Sequence, residues 1–237
     1  MLILCLCSGI VCAESTTELT VVVYSNETVL DSVVVDYRWM EENLPVYGDG
    51  ITHYYYQLQV FHGDPWDPEE TINFQDKGAV KGTSVRDLIE LVGGMEPDDI
   101  VIVKGSDGFY LQFPYDDIYM DVPQRGLLAI CWYIGEDVTK GEDHEYGYVP
   151  VYDSGMRLLF LADNSTNAEG LHVFGNYDML QIFPSFAQKF YDNSCLPSTN
   201  GFSVKWVDEV RVYKGGVVNI PPGLKKCDKK EEKGKEK

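Results

Sequence analysis

The sequence predicts an α+β fold with a β-rich mixed-sheet core and few helices. Stretches of β-branched and aromatic residues dominate the chain, a single segment has clear helical periodicity, and no internal repeat is present. Hydrophobic residues make up 44% and aromatic residues 13% of the 237 residues, so a full core can be built and global disorder is excluded.

The first strands are expected in the N-terminal quarter of the chain. "TELTVVVYSNETVLDSVVVDY" alternates β-branched residues around Ser25 and Asn26, which indicates a β-hairpin or two short strands. "RWMEENLP" then resembles a short helical turn that ends at Pro45. "HYYYQLQVF" is typical of a strand, whereas "HGDPWDPEE" is predicted to be a loop because glycine and two prolines interrupt it.

The clearest helix is predicted in "TSVRDLIELVGGM". Thr83 or Ser84 can cap its N-terminus, apolar residues recur on one face, and Gly93-Gly94 ends it. The next stretch, "DDIVIVKGSDGFYLQFPY", is predicted to form a strand, a tight Asp-Gly turn and a second strand.

Strands are predicted for the rest of the chain. "RGLLAICWYIG" has the continuous apolar run of a buried strand. "MRLLFLAD", "GLHVFGNYDMLQIF" and "FSVKWVDEVRVYKG" are expected to supply further strands.

The two ends of the chain differ in composition from the middle. Residues 1–13, "MLILCLCSGIVCA", are apolar and too short to span a bilayer, so they are predicted to be a signal peptide cleaved before Glu14. Residues 14–216 form one predicted domain, and residues 217–237 a disordered tail rich in lysine and glutamate. The mature chain is therefore expected to be secreted or extracytoplasmic at the cell surface, with no transmembrane span. A longer leader and a lipid anchor at Cys12 stay open.

Export leaves two further questions open. "NET" at Asn26 and "NST" at Asn164 match N-glycosylation acceptors, whose use depends on the host. Cys131 and Cys195 either form a disulfide bridge or are two buried thiols.

The charge of the chain limits its partners. A net charge of −19 and a pI near 4.4 repel nucleic acid and anionic lipid, so a nucleic-acid role is not expected. The same charge favours cations, basic partners or simple solubility in a salty medium. The expected partner is an unidentified small ligand or a protein.

Three segments, in this order, carry a resemblance to a known family. They are "KGTSVRDLIELVGG" followed by "IVIVKGSDGFYLQF", then "LLAICWYIG" followed by "GMRLLFLAD", and finally "SVKWVDEVRVY". Over residues 78–213 the chain is similar to the oxidoreductase molybdopterin-binding domain of sulfite oxidase and its bacterial relatives. It also resembles exported proteins of methanogenic archaea that share the "THYYYQ…FHGDPWDP" and "HVFGNYDM" wording. The resemblance implies a sulfite oxidase-like fold with a cofactor cleft.

The chain departs from that family at the residues that hold the cofactor. Catalytic members ligate molybdenum with a cysteine, and the corresponding stretch here, "THYYYQLQVF", contains none. The segment comparable to the family's basic cofactor site offers Arg157 alone, beside Asp153. Neither histidine nor tyrosine replaces a soft thiolate readily, so molybdopterin is not expected as a cofactor.

The strand "HYYYQ" offers a candidate binding surface. On an extended strand His53, Tyr55 and Gln57 point to one side and the tyrosines between them to the other. His53, Tyr55, Gln57, Arg157 and Asp178 are therefore the candidate ligand-binding residues at the mouth of the former cofactor cleft.

A divalent metal site is a second hypothesis for the same region. His53, His62, Asp64 and His172 could converge on a first-row metal ion, although no HxH or HxxxH spacing supports this. The alternative is that the histidines only satisfy hydrogen bonds in the fold. The acidic stretches "DPWDPEE" and "YDDIYMDV" could instead bind calcium, although neither has EF-hand spacing.

These observations predict an exported, non-catalytic protein that binds a ligand or partner on a molybdopterin-oxidoreductase-like fold. G-x-S-x-G, Walker and HExxH motifs are absent, so there are no candidate catalytic residues. Two alternatives stay open: a divergent oxidoreductase that uses another metal or cofactor in the same cleft, and a calcium-stabilised cell-surface protein.

Overall fold

The computed structural model describes residues 16–59, 70–137, 146–151, 154–191 and 196–216. About 42% of the chain is strand and 17% is helix, which confirms the prediction of a β-rich α+β fold. The strands are β1 (Glu18–Ser25), β2 (Thr28–Asp36), β3 (His53–Gln57), β4 (Phe74–Ser84), β5 (Ile100–Gly105), β6 (Tyr110–Pro114), β7 (Leu127–Ile134), β8 (Gly147–Tyr148), β9 (Arg157–Leu161), β10 (His172–Phe174) and β11 (Val207–Lys214). The helices are α1 (Tyr37–Asn43), α2 (Val85–Glu90), α3 (Tyr115–Tyr119) and α4 (Asn176–Ile182).

One sheet has the strand order β2-β1-β11-β5-β6. The two ends of the domain meet in it, because β1 pairs in parallel with the last strand, β11. The predicted hairpin is confirmed: β1 and β2 are antiparallel and turn at Asn26, whose φ of 54° is a left-handed value that asparagine tolerates. The β5–β6 hairpin is also confirmed and turns through Asp107 and Gly108.

The second sheet has the order β10-β3-β4-β7-β8. The strand β9 also pairs with β7, on the edge of β7 that faces away from β4. The central strand of this sheet, β4, was not predicted, because Lys77, Gly78, Lys81 and Gly82 interrupt the apolar alternation that marks a strand. Gly82 is required by packing: a Cβ at this position would lie 2.5 Å from the backbone oxygen of Ile130 on β7.

The core between the two sheets is rich in aromatic residues. The rings of Phe160 and Phe174 stack with centroids 4.9 Å apart, and those of Phe183 and Phe202 also lie 4.9 Å apart. Tyr56 on β3 joins this cluster and is fully buried. The phenylalanines therefore connect β3, β9 and β10 to the chain beyond α4.

The predicted helix is confirmed but shorter than its periodicity indicates. Ser84 caps α2, because its Oγ accepts a hydrogen bond from the backbone N–H of Asp87 at 2.9 Å. The helix ends at Glu90, and Gly93 follows with a φ of 90°. The α1 turn is likewise confirmed, whereas α3 was not predicted.

The prediction of a strand throughout "GLHVFGNYDMLQIF" is wrong in its second half. The strand β10 stops at Phe174, and α4 begins at Asn176. Met179 and Phe183, four positions apart, both lie in the core, which is a helical spacing. The start of α4 is fixed from a distant part of the chain by Glu70, whose carboxylate accepts the N–H of Asp178.

Several predictions fall outside the described residues. These are the signal peptide, the C-terminal tail, Asp153, Cys195 with its possible bridge to Cys131, and most of the "HGDPWDPEE" loop. In the ranges that the structure does describe, no helix has the length and apolar character needed to cross a membrane.

Candidate functional site

Three neighbouring strands of the second sheet bring one histidine and two aspartates together. His53 is the first residue of β3, Asp76 lies near the start of β4, and Asp137 follows the end of β7. The start of β3 lies opposite Ala79 and the end of β7 lies opposite Val80, so both neighbours bring their residues to the first half of β4, which carries Asp76.

The side chains form a line in which the imidazole stands between two carboxylates. Nδ1 of His53 lies 2.9 Å from Oδ2 and 3.1 Å from Oδ1 of Asp76. On the other side of the ring, Nε2 lies 4.0 Å from Oδ2 of Asp137. A carboxylate can only accept hydrogen bonds, so the hydrogen of a neutral ring is held on Nδ1 and the Nε2 lone pair faces Asp137.

The backbone fixes the carboxylate of Asp76. Its Oδ1 accepts the N–H of Gly78 at 2.7 Å, and Gly78 has a φ of 95° that favours glycine. The side chains are partly shielded from water, with 24% of His53, 20% of Asp76 and 10% of Asp137 exposed. The ring is thus held in one orientation at a site that solvent can still reach.

This arrangement is suited to a divalent cation. One ligand atom from each of His53, Asp76 and Asp137 lies within 4.8 Å of the other two, and among the described residues this is the one group of three or more with that property. Histidines that ligate metals commonly donate their other ring N–H to a carboxylate, which is the role that Asp76 occupies here. In that arrangement Nε2 of His53 and the carboxylate of Asp137 would be the direct ligands.

The alternation predicted for β3 is confirmed from His53 to Tyr56 and fails at Gln57. The rings of His53 and Tyr55 lie on the same side with centroids 6.3 Å apart. Tyr54 and Tyr56 point into the protein, where they are 8% and 0% exposed.

Gln57 lies at the buried end of that strand and does not face an open surface. Its Nε2 donates to the carbonyl of Ile72 at 3.1 Å, and its Oε1 accepts the N–H of Asn176 at 2.9 Å. These bonds tie β3 to α4, which is a structural role.

His172 is not brought to His53. It pairs in register with Tyr54, and the centroids of the two rings are 5.2 Å apart. Its Nδ1 lies 2.8 Å from the carbonyl oxygen of Ala162. Successive residues of a strand face opposite sides, so His172 lies on the face of β3 opposite to His53. His62 and Asp64, the other predicted metal ligands, lie outside the described residues.

Arg157 takes part in a separate, cationic region. Its Nη2 donates to the backbone oxygen of Lys77 at 3.0 Å. Lys77, which the sequence did not single out, is 7% exposed and donates to Gln75 and to Asn200. Burial, followed by the charges of Arg157 and Lys205, lowers the pKa of Lys77 to about 7.

Asp178 belongs to the N-terminus of α4 and not to the histidine site. Its backbone N–H donates to Oε1 of Glu70 at 2.9 Å. Burial raises the pKa of its carboxyl group, while its side-chain hydrogen bonds with Thr166 and Glu70 act in the opposite direction.

The described residues do not fit a molybdopterin metal centre. The strand β3 carries no thiol. Cys131 is fully buried inside β7, and this burial raises the pKa of its thiol to about 12. A protonated thiol in the core cannot serve as the thiolate ligand that molybdenum needs.

The acidic stretch "YDDIYMDV" forms α3 and the turn that follows it. Asp117 there faces Arg125, whose Nη2 lies 4.0 Å from its Oδ1. This carboxylate is thus directed at a buried arginine, and not at the other acids of the stretch.

Sequence reasoning identified His53 but missed Asp76 and Asp137. Asp76 lies in β4, which was not recognised as a strand, and Asp137 follows a strand whose pairing could not be assigned. A charged residue opposite "HYYYQ" in the next strand is the signal that would have found Asp76.

No protein-family model matches the chain, and neither a curated protein nor a solved structure matches it.

Proposed function

We propose that this chain is an exported, non-catalytic binding module that holds a first-row divalent cation at His53 and Asp137. The observation that carries the proposal is the position of the His53 imidazole between the carboxylates of Asp76 and Asp137. Imidazole nitrogen combined with carboxylate oxygen suits manganese, iron or zinc better than calcium, which prefers oxygen ligands alone.

The coordination is expected to be open. Two direct protein ligands leave the remaining positions to water or to a ligand atom, whereas a structural zinc site has four protein ligands. Such an ion exchanges readily and can bridge the protein to a bound anion. The strongly acidic chain also favours accumulation of cations near its surface.

The proposal includes a fold related to the sulfite oxidase molybdopterin-binding domain. The segments that carry the resemblance form adjacent strands: β5 and β6 pair with each other, β11 pairs with β5, and β7 pairs with β9. A shared core with a different ion at the site is consistent with the absence of a cysteine in β3.

The test is a titration of the full chain, stripped of metal by chelation, with zinc and manganese ions by isothermal calorimetry. We expect one ion per chain and an affinity that falls at least about tenfold in His53→Ala and in Asp137→Asn. His172→Ala is the matched control, because His172 lies on the neighbouring strand but faces away from the site.

Two outcomes would overturn the proposal. Equal affinity in the wild type and in His53→Ala would place any bound ion elsewhere. Stoichiometric molybdenum or tungsten with a pterin, found by elemental analysis of protein purified from its natural host, would restore the oxidoreductase alternative.

A further inference from the structure

A cavity of about 280 Å³ lies at the opposite end of β4 from the histidine site. It is lined by residues from the corner between β4 and α2, the segment after α3, the start of β7, and the loop before β3. His53 lies opposite Ala79, five residues from Ser84, and Asp76 is eight residues from Ser84, so at about 3.3 Å per residue the two sites are roughly 15–25 Å apart along the strand. A ligand in this cavity would therefore be independent of the proposed cation.

Two oppositely charged side chains, those of Arg86 and Asp121, line the cavity but do not form an ion pair with each other. Arg86 and Asp121 are both exposed, and neither forms an ion pair or side-chain hydrogen bond within the part of the chain that the structure describes. The guanidinium group of Arg86 lies over the ring of Tyr119, 5.0 Å from its centroid. A stacked guanidinium keeps its N–H donors available at its edges.

The rest of the lining combines the polar side chains of Tyr47 and Ser84 with the apolar side chains of Val85, Ile118, Leu127 and Leu128. Val85 and Leu128 are 0% and 3% exposed as whole residues, so the floor that they form belongs to the core. The segment that carries Asp121 is held by Arg125, which donates to the carbonyls of Asp116 and Met120 at 3.1 Å and of Gly126 at 3.0 Å. The negative group is thus fixed relative to the floor.

We propose that this cavity binds a small zwitterion with an apolar side chain, of the class of an α-amino acid. The carboxylate of the ligand accepts hydrogen bonds from Arg86, its ammonium group donates to Asp121, and its side chain covers Val85 and Leu128. Arginine is suited to planar carboxylates because it can donate two parallel hydrogen bonds. Arg125 interacts with both Asp117 and Asp121 and offsets part of the negative charge there.

The size of the cavity limits the ligand. Pockets for drug-sized ligands and cofactors occupy roughly 300–1,000 Å³, so a cavity of about 280 Å³ suits a ligand smaller than a nucleotide. A free amino acid with a branched aliphatic or aromatic side chain is within this limit.

The test is a calorimetric titration of the full chain with L-leucine and with two analogues that each lack one charge. L-Leucinamide lacks the carboxylate, and 4-methylpentanoate lacks the ammonium group. We expect L-leucine to bind in the micromolar to millimolar range, and each analogue to bind at least about tenfold more weakly, because each loses one charge-assisted contact.

Two variants identify the residue that meets each charge. Arg86→Gln should weaken the binding of L-leucine about tenfold. It should leave the binding of L-leucinamide unchanged, because that analogue has no carboxylate to contact Arg86. Asp121→Asn should weaken L-leucine and leave 4-methylpentanoate unchanged. Arg38→Gln and Asp98→Asn, two exposed positions that do not line the cavity, are the matched controls.

The proposal is overturned if L-leucine, L-valine and L-phenylalanine all fail to bind at 10 mM, a concentration of the order that detects millimolar affinity. It is also overturned if L-leucine and its single-charge analogues bind equally. A loss of L-leucine binding in Arg38→Gln as large as that in Arg86→Gln would likewise contradict it.

Discussion

Asp76 fixes the ring of His53 through contacts of 2.9 and 3.1 Å between its two carboxylate oxygens and Nδ1. The N–H of Gly78 fixes Asp76 in turn. The carboxylate sets which ring nitrogen carries the hydrogen, so it determines where a metal ion can bind without being one of the direct ligands proposed above. The ability of this site to bind a cation therefore depends on a residue in the neighbouring strand.

Replacing Asp76 should weaken the cation site while preserving the fold. Asp76→Asn keeps an oxygen that can accept from Nδ1 but removes the negative charge, so we expect the affinity for zinc to fall about tenfold. Asp76→Ala also frees the ring of His53 to rotate, so the affinity for zinc should fall further in this variant. Calorimetry measures both, and near-equal affinities for Asp76→Ala and the wild type would show that the carboxylate has no part in binding.

The two buried tyrosines of β3 should differ in what their hydroxyl groups contribute. The hydroxyl oxygen of Tyr56 accepts the N–H of Phe160 at 2.7 Å, whereas that of Tyr54 forms no hydrogen bond with the described residues. Tyr56→Phe leaves a buried N–H without a partner and should lower the free energy of unfolding by about 1–3 kcal/mol. Tyr54→Phe, the matched control, should change it by less than about 0.5 kcal/mol.

Urea unfolding followed by circular dichroism measures this comparison. Equal losses in the two variants would mean that the hydroxyl of Tyr56 acts by filling space and not by accepting a hydrogen bond.

Local patterns were sufficient to predict much of the scaffold. The alternation in "HYYYQ" gave the correct faces for the first four residues of β3 but not for Gln57, and the Ser84 cap with the following apolar spacing located α2. These features depend on residues within one element. The strand β4 was missed because its two lysines and two glycines do not follow the pattern of an isolated strand, although its neighbours on both sides accommodate them.

The candidate site was less predictable because it depends on strand register. His53 and His172 both lie in segments that were predicted to be strands. The pairing of His172 with Tyr54 nevertheless puts the two rings on opposite faces of the sheet. Asp76 reaches His53 only because β3 and β4 are adjacent and antiparallel. Likewise α4 begins where it does because Glu70, more than a hundred residues earlier, caps it. No pattern within one element contains these contacts.

Arg125 should be essential for stability, although it is a charged residue in the interior. It is 2% exposed and donates to three backbone carbonyls around α3, close to Asp117. Arg125→Met leaves these carbonyls and a buried carboxylate without a donor, so we expect a loss of roughly 3–5 kcal/mol in the free energy of unfolding. Arg38→Met, at an exposed position on α1, should leave the urea midpoint unchanged.

The partner of Arg125 offers a check on this mechanism. Burial raises the pKa of Asp117 to about 6, and the charge of Arg125 opposes that rise. If Arg125→Met destabilises the protein because it removes the positive charge beside the carboxylate of Asp117, adding Asp117→Asn should restore part of the lost stability at pH 7.5. Purely additive losses would assign the whole effect to the backbone carbonyls.

The stability of the protein should depend on pH through Lys77. Burial, then the charges of Arg157 and Lys205, lowers the pKa of this amine to about 7, whereas in an unfolded chain it is about 10.4. Between these values the unfolded state binds the proton and the native state does not, so the contribution of Lys77 to stability rises with pH. Its full cost is present below pH 7, where the native state must hold a buried ammonium group.

Comparing the wild type with Lys77→Met isolates this contribution, because the other groups titrate in both proteins. The free energy of unfolding of Lys77→Met, taken relative to that of the wild type, should be highest at pH 6.5. We expect this difference to fall by about 3 kcal/mol by pH 9.5. Urea unfolding at three or four pH values measures the difference. Parallel curves would show that Lys77 keeps its proton in the native state, in which case Gln75, Asn200 and the ring of Tyr56, 4.8 Å from Nζ, solvate a permanent cation.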